Sequence, residues 1–265
     1  MKRIITGLLA ASAWLALLYS RSFPLFWLTI ILVSLIAAFE FFTICLRKEE
    51  SFLRPVLLFL VLPPVMAAWF QNAQLVFAVY TASLILLSCL AVLQASRMQA
   101  PFDFLLKSVF GTTYVGLFPA LILLLMADPD GAKWLLFLTT ITAASDTGAY
   151  FTGKSLGKHK LCPSISPGKT VEGFIGGMLC GTLFSVLVAL ALFDQVNIFR
   201  FIAAAMALTV IGVVGDLIES LLKRSMGVKD SGSILPGHGG ILDRADSLLL
   251  TAPVLYYLVT YNFFR

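Results

Sequence analysis

Apolar residues dominate this chain in runs of helical length, broken by short polar stretches. The runs predict membrane spans at 4–20, 23–44, 55–71, 75–96, 108–127, 134–153, 171–193, 201–219 and 244–263. Each is close to the ~20 residues that a helix needs to cross a bilayer core. The pattern predicts an all-α polytopic membrane protein with about nine transmembrane helices. Pro63 and Pro64 should kink the third span and Pro119 the fifth, because proline removes a helical hydrogen bond and crowds the preceding turn. The first two spans can alternatively be read as a re-entrant pair, since residues 20–23 leave little room to turn.

Composition agrees with this pattern. Of 265 residues, 59% are hydrophobic and 12% charged, where a soluble domain carries about 25% charged residues. The nine-span map puts the N-terminus and loops 45–54, 97–107, 154–170 and 220–244 on one side of the membrane, with 15 Lys and Arg against 4 on the other. The positive-inside rule then sets the N-terminus and these loops in the cytoplasm and the C-terminus outside. Topology and anionic lipid headgroups account for the net charge of +5, so nucleic acid is not an expected partner. Lys2 and Arg3 before an apolar run imitate a signal peptide, but no small-residue cleavage site follows, and a retained first helix is expected. Cys45, Cys89, Cys162 and Cys180 have no metal-ligand or disulfide spacing.

The carboxylates are as uneven as the basic residues. Asp146, Glu172, Asp216, Glu219, Asp230, Asp243 and Asp246 make up half of all 14, and each borders a predicted cytoplasmic loop. Residues 1–130 therefore read as a transmembrane scaffold half, with dimer contacts their candidate further role and Glu40 a polar residue near a helix end. Residues 131–265 read as the catalytic half, with its site at the cytoplasmic face. Charges beside a bilayer are costly and usually functional.

The segment GVKDSGSILPGHGGILDRADS (227–247) is the densest in chemistry, and GDLIESLLKRS (215–225) precedes it. Asp243 and Asp246 are three residues apart on one helical face, and Asp216 and Glu219 repeat that spacing. Carboxylates so close repel one another, and a hard divalent cation relieves them. Pairing with Lys223, Arg224 and Arg244 is the plainer alternative. Gly237, Gly239 and Gly240 of PGHGG allow close backbone approach to an anion before a helix. His238 beside them is either a phosphate hydrogen-bond donor or a structural residue. SPGKT (166–170) fails the P-loop pattern, which would need glycine where Pro163 stands, yet Lys169 is still poised for phosphate at a helix start. Glu172 one turn in is either an N-terminal helix charge or a metal-site acid, and Asp146 in SDTGAYFTGK (145–154) is either a functional acid or a structural partner of a nearby basic residue.

Together these segments resemble the phosphatidate cytidylyltransferases, or CDP-diacylglycerol synthases. The resemblance rests on Ser220, Lys223-Arg224, Lys229-Asp230, Ser231, LPGHGG (235–240) and Asp243-Arg244 with Asp246, and it covers roughly residues 145–247. It implies that CTP and phosphatidic acid give CDP-diacylglycerol and pyrophosphate with Mg²⁺, a second ion being the open alternative, at a bacterial-type inner (cytoplasmic) membrane. The implied metal ligands are Asp216, Asp243 and Asp246, with Glu219, Asp146 and Glu172 as weaker candidates. Lys223 and Arg244 join the three aspartates as catalytic residues. Lys169, Arg224, Lys229, Asp230, Gly237, His238, Gly239 and Gly240 would bind substrate phosphates. The expected partners are CTP, phosphatidic acid and membrane lipids, with a homodimer through the first half.

Two rival classes fit less well. CDP-alcohol phosphotransferases need a DGxxAR run that is absent from the sequence. A proton- or ion-coupled transporter predicts acids at mid-membrane in several helices, whereas these flank one face.

Overall fold

The computed structural model describes residues 2–232, 234 and 239–264. Among the described residues the helices are α1 (Lys2–Ser20), α2 (Phe23–Cys45), α3 (Arg54–Val61), α4 (Pro63–Ala67), α5 (Ala73–Leu93), α6 (Pro101–Thr112), α7 (Phe118–Met126), α8 (Gly131–Leu156), α9 (Val171–Leu192), α10 (Ile198–Ser225) and α11 (Leu242–Thr260). Each predicted span falls on helix. Among the described residues, six segments are long and apolar enough to cross a membrane, which makes this a multi-pass membrane protein. The runs that built α1, α8 and α11 are shorter or carry more polar residues.

The prolines act where expected. The third span breaks at Leu62, so that α3 ends there and α4 starts on Pro63 and Pro64. Before Pro119 the fifth span widens into a π-helical turn at Thr113–Leu117. Proline has no N–H to donate to the preceding turn, and a wider turn accommodates its ring. A hairpin is outside the all-α expectation. Strands β1 (Lys160–Cys162) and β2 (Ser166–Thr170) pair antiparallel between α8 and α9.

The chain divides into two compact units, one made of Met1–Ala127 with Asp230–Arg244, the other of Asp128–Lys229 with Ala245–Arg265. The first change of unit falls close to the boundary read near residue 130. The segment 230–244, however, packs with the N-terminal unit rather than with the second half.

In the first unit, the segment Pro101–Met126 is the core element. Its most apolar window is 78% buried, against 22% for Ala73–Leu93. Phe26, Phe41, Phe42, Phe104 and Tyr114 are fully or almost fully buried. In the second unit, Trp134 stacks on Phe201 at 5.9 Å, with Phe264 4.6 Å away. The exposed leucines of α9 at 179, 183, 187 and 190 form a helical stripe suited to lipid.

Helices α8 and α9 meet through small residues, the packing that lipid-embedded helices use in place of hydrophobic burial. A Cβ on Gly177 would come within 2.8 Å of the Ser145 carbonyl and 3.1 Å of Ala149 Cβ. Gly177→Leu is therefore expected to destabilise the protein by about 1–3 kcal/mol through overpacking. A thermal-unfolding scan of the detergent-purified variant checks this, and an unchanged midpoint would show that the helices can separate without cost.

Candidate functional site

In the second unit the sequence brings α10 and α11 together at their polar ends. Gly215 has no side chain because the backbone of α11 occupies that space: a Cβ there would lie 2.8 Å from the Asp246 carbonyl and 3.2 Å from Leu250 Cβ. Asp216 follows Gly215, so this close approach makes Asp216 and Asp246 neighbours. Asp246 interacts electrostatically with Asp216, Asp146 and Lys169. Lys169 from the end of β2 forms an ion pair with Asp216, and Ser220 Oγ donates to Asp216 Oδ1 at 3.4 Å.

Asp146, Lys169 and Asp216 line a cavity of about 360 Å³, together with Tyr150, Lys154 and Thr170. Small-molecule sites begin at roughly that size, ~300 Å³. Measured from Ile198, Asp216 stands about 27 Å along α10, close to the ~30 Å thickness of a hydrocarbon core. The cavity is thus at the depth where apolar helix gives way to polar residues.

The approach to this cavity is shaped locally. Thr170 caps α9 by accepting from Gly173 N at 3.1 Å. Glu172 accepts from the backbone N–H groups of Lys158 at 3.0 Å and His159 at 3.2 Å, and pairs with His159 Nδ1 at 2.6 Å. Through these contacts Glu172, a weaker candidate for a metal-site acid, ties the basic loop to the start of α9. Glu219 is 1% exposed and pairs with Lys223 at 2.5 Å, one turn along α10.

Helix α10 ends in a Schellman motif, in which Val228 N donates to Lys223 O at 2.9 Å and Gly227 N to Arg224 O at 3.1 Å. Gly227 adopts φ +69°, a conformation that favours glycine. Arg224 Nη1 donates to Val228 O at 3.4 Å. Arg224 and Lys229 are both exposed.

Of the remaining signature residues that are described, Asp230, Ser231, Gly239, Gly240, Asp243 and Arg244 belong to the first unit. Asp243 Oδ2 accepts from Ser231 N at 2.9 Å and Gly240 N at 2.8 Å. A residue expected as a metal ligand thus gives one carboxylate oxygen to two backbone amides, because its short side chain folds back over the glycine turn. Gly239 has φ +77°, and a Cβ on it would collide with the Asp243 carboxylate. Asp230 and Arg244 are exposed. Gly237 and His238 lie outside the described residues.

Glu40 of α2 is the group that the sequence reading undervalued. It is 3% exposed and accepts from Ile241 N at 3.1 Å, Leu242 N at 3.0 Å and Ser231 Oγ at 3.2 Å. The available signal was that Glu40 is the one charged residue in the 23-residue sequence of its helix, and an ionisable group inside a membrane span has a task by default.

The oxygen-only donor set of Asp146, Asp216 and Asp246 suits a hard divalent cation. Among the described residues, no three Asp, Glu, His or Cys side chains close into a metal cluster. Mg²⁺ does not require such a cage, since it commonly takes one or two carboxylates and fills its shell with water and substrate phosphates.

The profile of the Cytidylyltransferase family matches residues 1–262. A phosphatidate cytidylyltransferase of Staphylococcus haemolyticus is 37% identical over 264 residues, covering 97% of this chain and 98% of that protein. One from Bacillus subtilis is 36% identical over 265 residues, covering 97% of each. A third, from Staphylococcus epidermidis, is 38% identical over 204 residues, with 77% of this chain and 76% of that protein covered.

Proposed function

The chain belongs to the cytidylyltransferase family, and from that membership we propose that it makes CDP-diacylglycerol and pyrophosphate from CTP and phosphatidic acid, for phospholipid synthesis. A phosphate oxygen of phosphatidic acid attacks the α-phosphorus of CTP in line. The new P–O bond forms as the bond from the α-phosphorus to the bridging oxygen of the β-phosphate breaks, and pyrophosphate leaves. The attacking phosphate is already anionic at neutral pH, so no Ser or Cys nucleophile is needed. The protein's work is to position the substrates and neutralise charge.

One observation carries this reading beyond the family match. Asp216, Asp246, Asp146 and Lys169 interact beside a polar-edged cavity in the second unit. Asp216 and Asp246 are the proposed Mg²⁺ ligands, with Asp146 as a further carboxylate nearby. Bound there, Mg²⁺ would supply charge neutralisation on the phosphates of CTP. Lys169 holds Asp216 and offers its ammonium to the same phosphates. Lys223 pairs with Glu219, while Arg224, Lys229 and Arg244 are exposed basic residues that would meet anionic substrate or headgroups. Asp243 acts through the loop that it braces.

The positive-inside asymmetry supports nine crossings, with a cytoplasmic N-terminus, an external C-terminus and the site facing the cytoplasm of an inner membrane. A homodimer through the first half remains part of the proposal.

The test is product formation from labelled CTP by purified protein in detergent, comparing phosphatidic acid with diacylglycerol. Label should enter CDP-diacylglycerol with phosphatidic acid alone, because diacylglycerol lacks the attacking phosphate. Absence of product from monodisperse protein, across lipid compositions and divalent ions, would overturn the reading.

A further inference from the structure

Helix α2 supplies one carboxylate to a segment about 200 residues away in sequence, and that carboxylate organises it. Glu40 Oε1 accepts from Ile241 N, and Oε2 accepts from Leu242 N and Ser231 Oγ. The Ile241 and Leu242 amides lie where α11 begins, and such amides have no partner within their own helix. The fit is tight on the glycine side as well. A Cβ on Gly232 would lie 2.9 Å from the Glu40 carboxyl carbon, and one on Gly240 would lie 2.7 Å from it. Two glycines, one serine and two amides thus surround a single buried acid. Asp243 closes the same turn from the other end by holding Ser231 N and Gly240 N.

From this arrangement we infer that Glu40 is a positioning residue for Ser231, Gly232 and residues 239–244, fixing the conformation in which the Gly239 and Gly240 amides, Asp243 and Arg244 are presented. The inference rests on the cytidylyltransferase reading above. Glu40 touches no substrate and acts through the loop. Three donors converge on its two oxygens, so an amide at this position must fail: glutamine has one acceptor oxygen, and its NH₂ would face donors. A buried donor without a partner favours a rearranged loop.

Glu40→Gln, Glu40→Asp and Ser231→Ala, purified in detergent, provide the test. Activity is normalised to folded protein by size-exclusion profile and melting temperature, and hydrogen exchange is followed at residues 240–242. Glu40→Gln should remain monodisperse, with kcat/KM for CTP reduced about 10–100-fold, the usual consequence of removing a group that orients a site. Exchange at 240–242 should rise. Glu40→Asp, which keeps both acceptor oxygens, should recover part of the activity, and Ser231→Ala should lose only a few-fold. A merely structural role would lower the melting temperature and the folded fraction in proportion to activity, leaving kcat/KM per folded molecule unchanged. That result, or Glu40→Gln with wild-type exchange at 240–242, overturns the inference. The exchange measurement does not depend on turnover, so an inactive wild-type protein would defeat the reaction assignment separately from the loop assignment.

Discussion

Asp216→Asn and Asp246→Asn are each expected to lower CDP-diacylglycerol formation at least about 10²-fold, the scale of losing a group that stabilises charge at a reaction centre. Asparagine keeps the size of the side chain and the close seat of α11 against Gly215, so the helix pair should survive. Each change removes a negative charge beside Asp146 and Lys169, and Asp216→Asn also takes from Lys169 the carboxylate it pairs with. Because Asp246 interacts with both Asp216 and Lys169, the double variant should lose little more than either single one, as groups acting as a unit do. Asp130→Asn provides the contrast. Its carboxylate pairs with Lys133 at 2.8 Å, outside the proposed machinery, and its activity should stay within about twofold, since surface pairs contribute little. If both Asn variants keep wild-type turnover, the second-unit aspartates are not the reaction centre.

The helices were legible because lipid imposes a strong pattern: every span must be apolar for about 20 residues and must satisfy its own backbone. The break at Pro63 and the distortion before Pro119 followed from single residues. The β1–β2 hairpin did not, because its order comes from Glu172 gathering amides across the loop, a contact that spacing does not encode. The same limit applies to the site. Asp216, Asp246, Asp146 and Lys169 were found by their chemistry and do interact. Glu219 and Lys223, chosen on the same grounds, form an ion pair one helical turn apart. Glu40 was undervalued because its partners lie about 200 residues downstream, although its isolation in an apolar helix was already a signal. A motif thus named most of the chemical groups, whereas packing decided which carboxylate is paired, which braces a loop and which faces a cavity.

Withdrawal of divalent cations should bring turnover to background, and adding back Mg²⁺ should restore it. CTP brings several negative charges to a place that already holds Asp146, Asp216 and Asp246, beside Lys169, which pairs with Asp216. That local balance disfavours a bound triphosphate unless further positive charge arrives with it. Oxygen donors select a hard cation, and the lack of a closed three-ligand cluster among the described residues suits an ion that shares its shell with substrate oxygens and water. It follows that Mg²⁺ and CTP should bind cooperatively, each tightening the other by the same factor. Titrating Mg²⁺ at several CTP concentrations measures this, with half-saturation falling as CTP rises. Asp146→Asn, which keeps Asp216 and Asp246, should raise the Mg²⁺ requirement about tenfold while largely sparing the maximal rate. Full turnover in chelator would remove the metal from the mechanism and leave neutralisation to Lys169 and the exposed cations, whose replacement should then account for the whole loss.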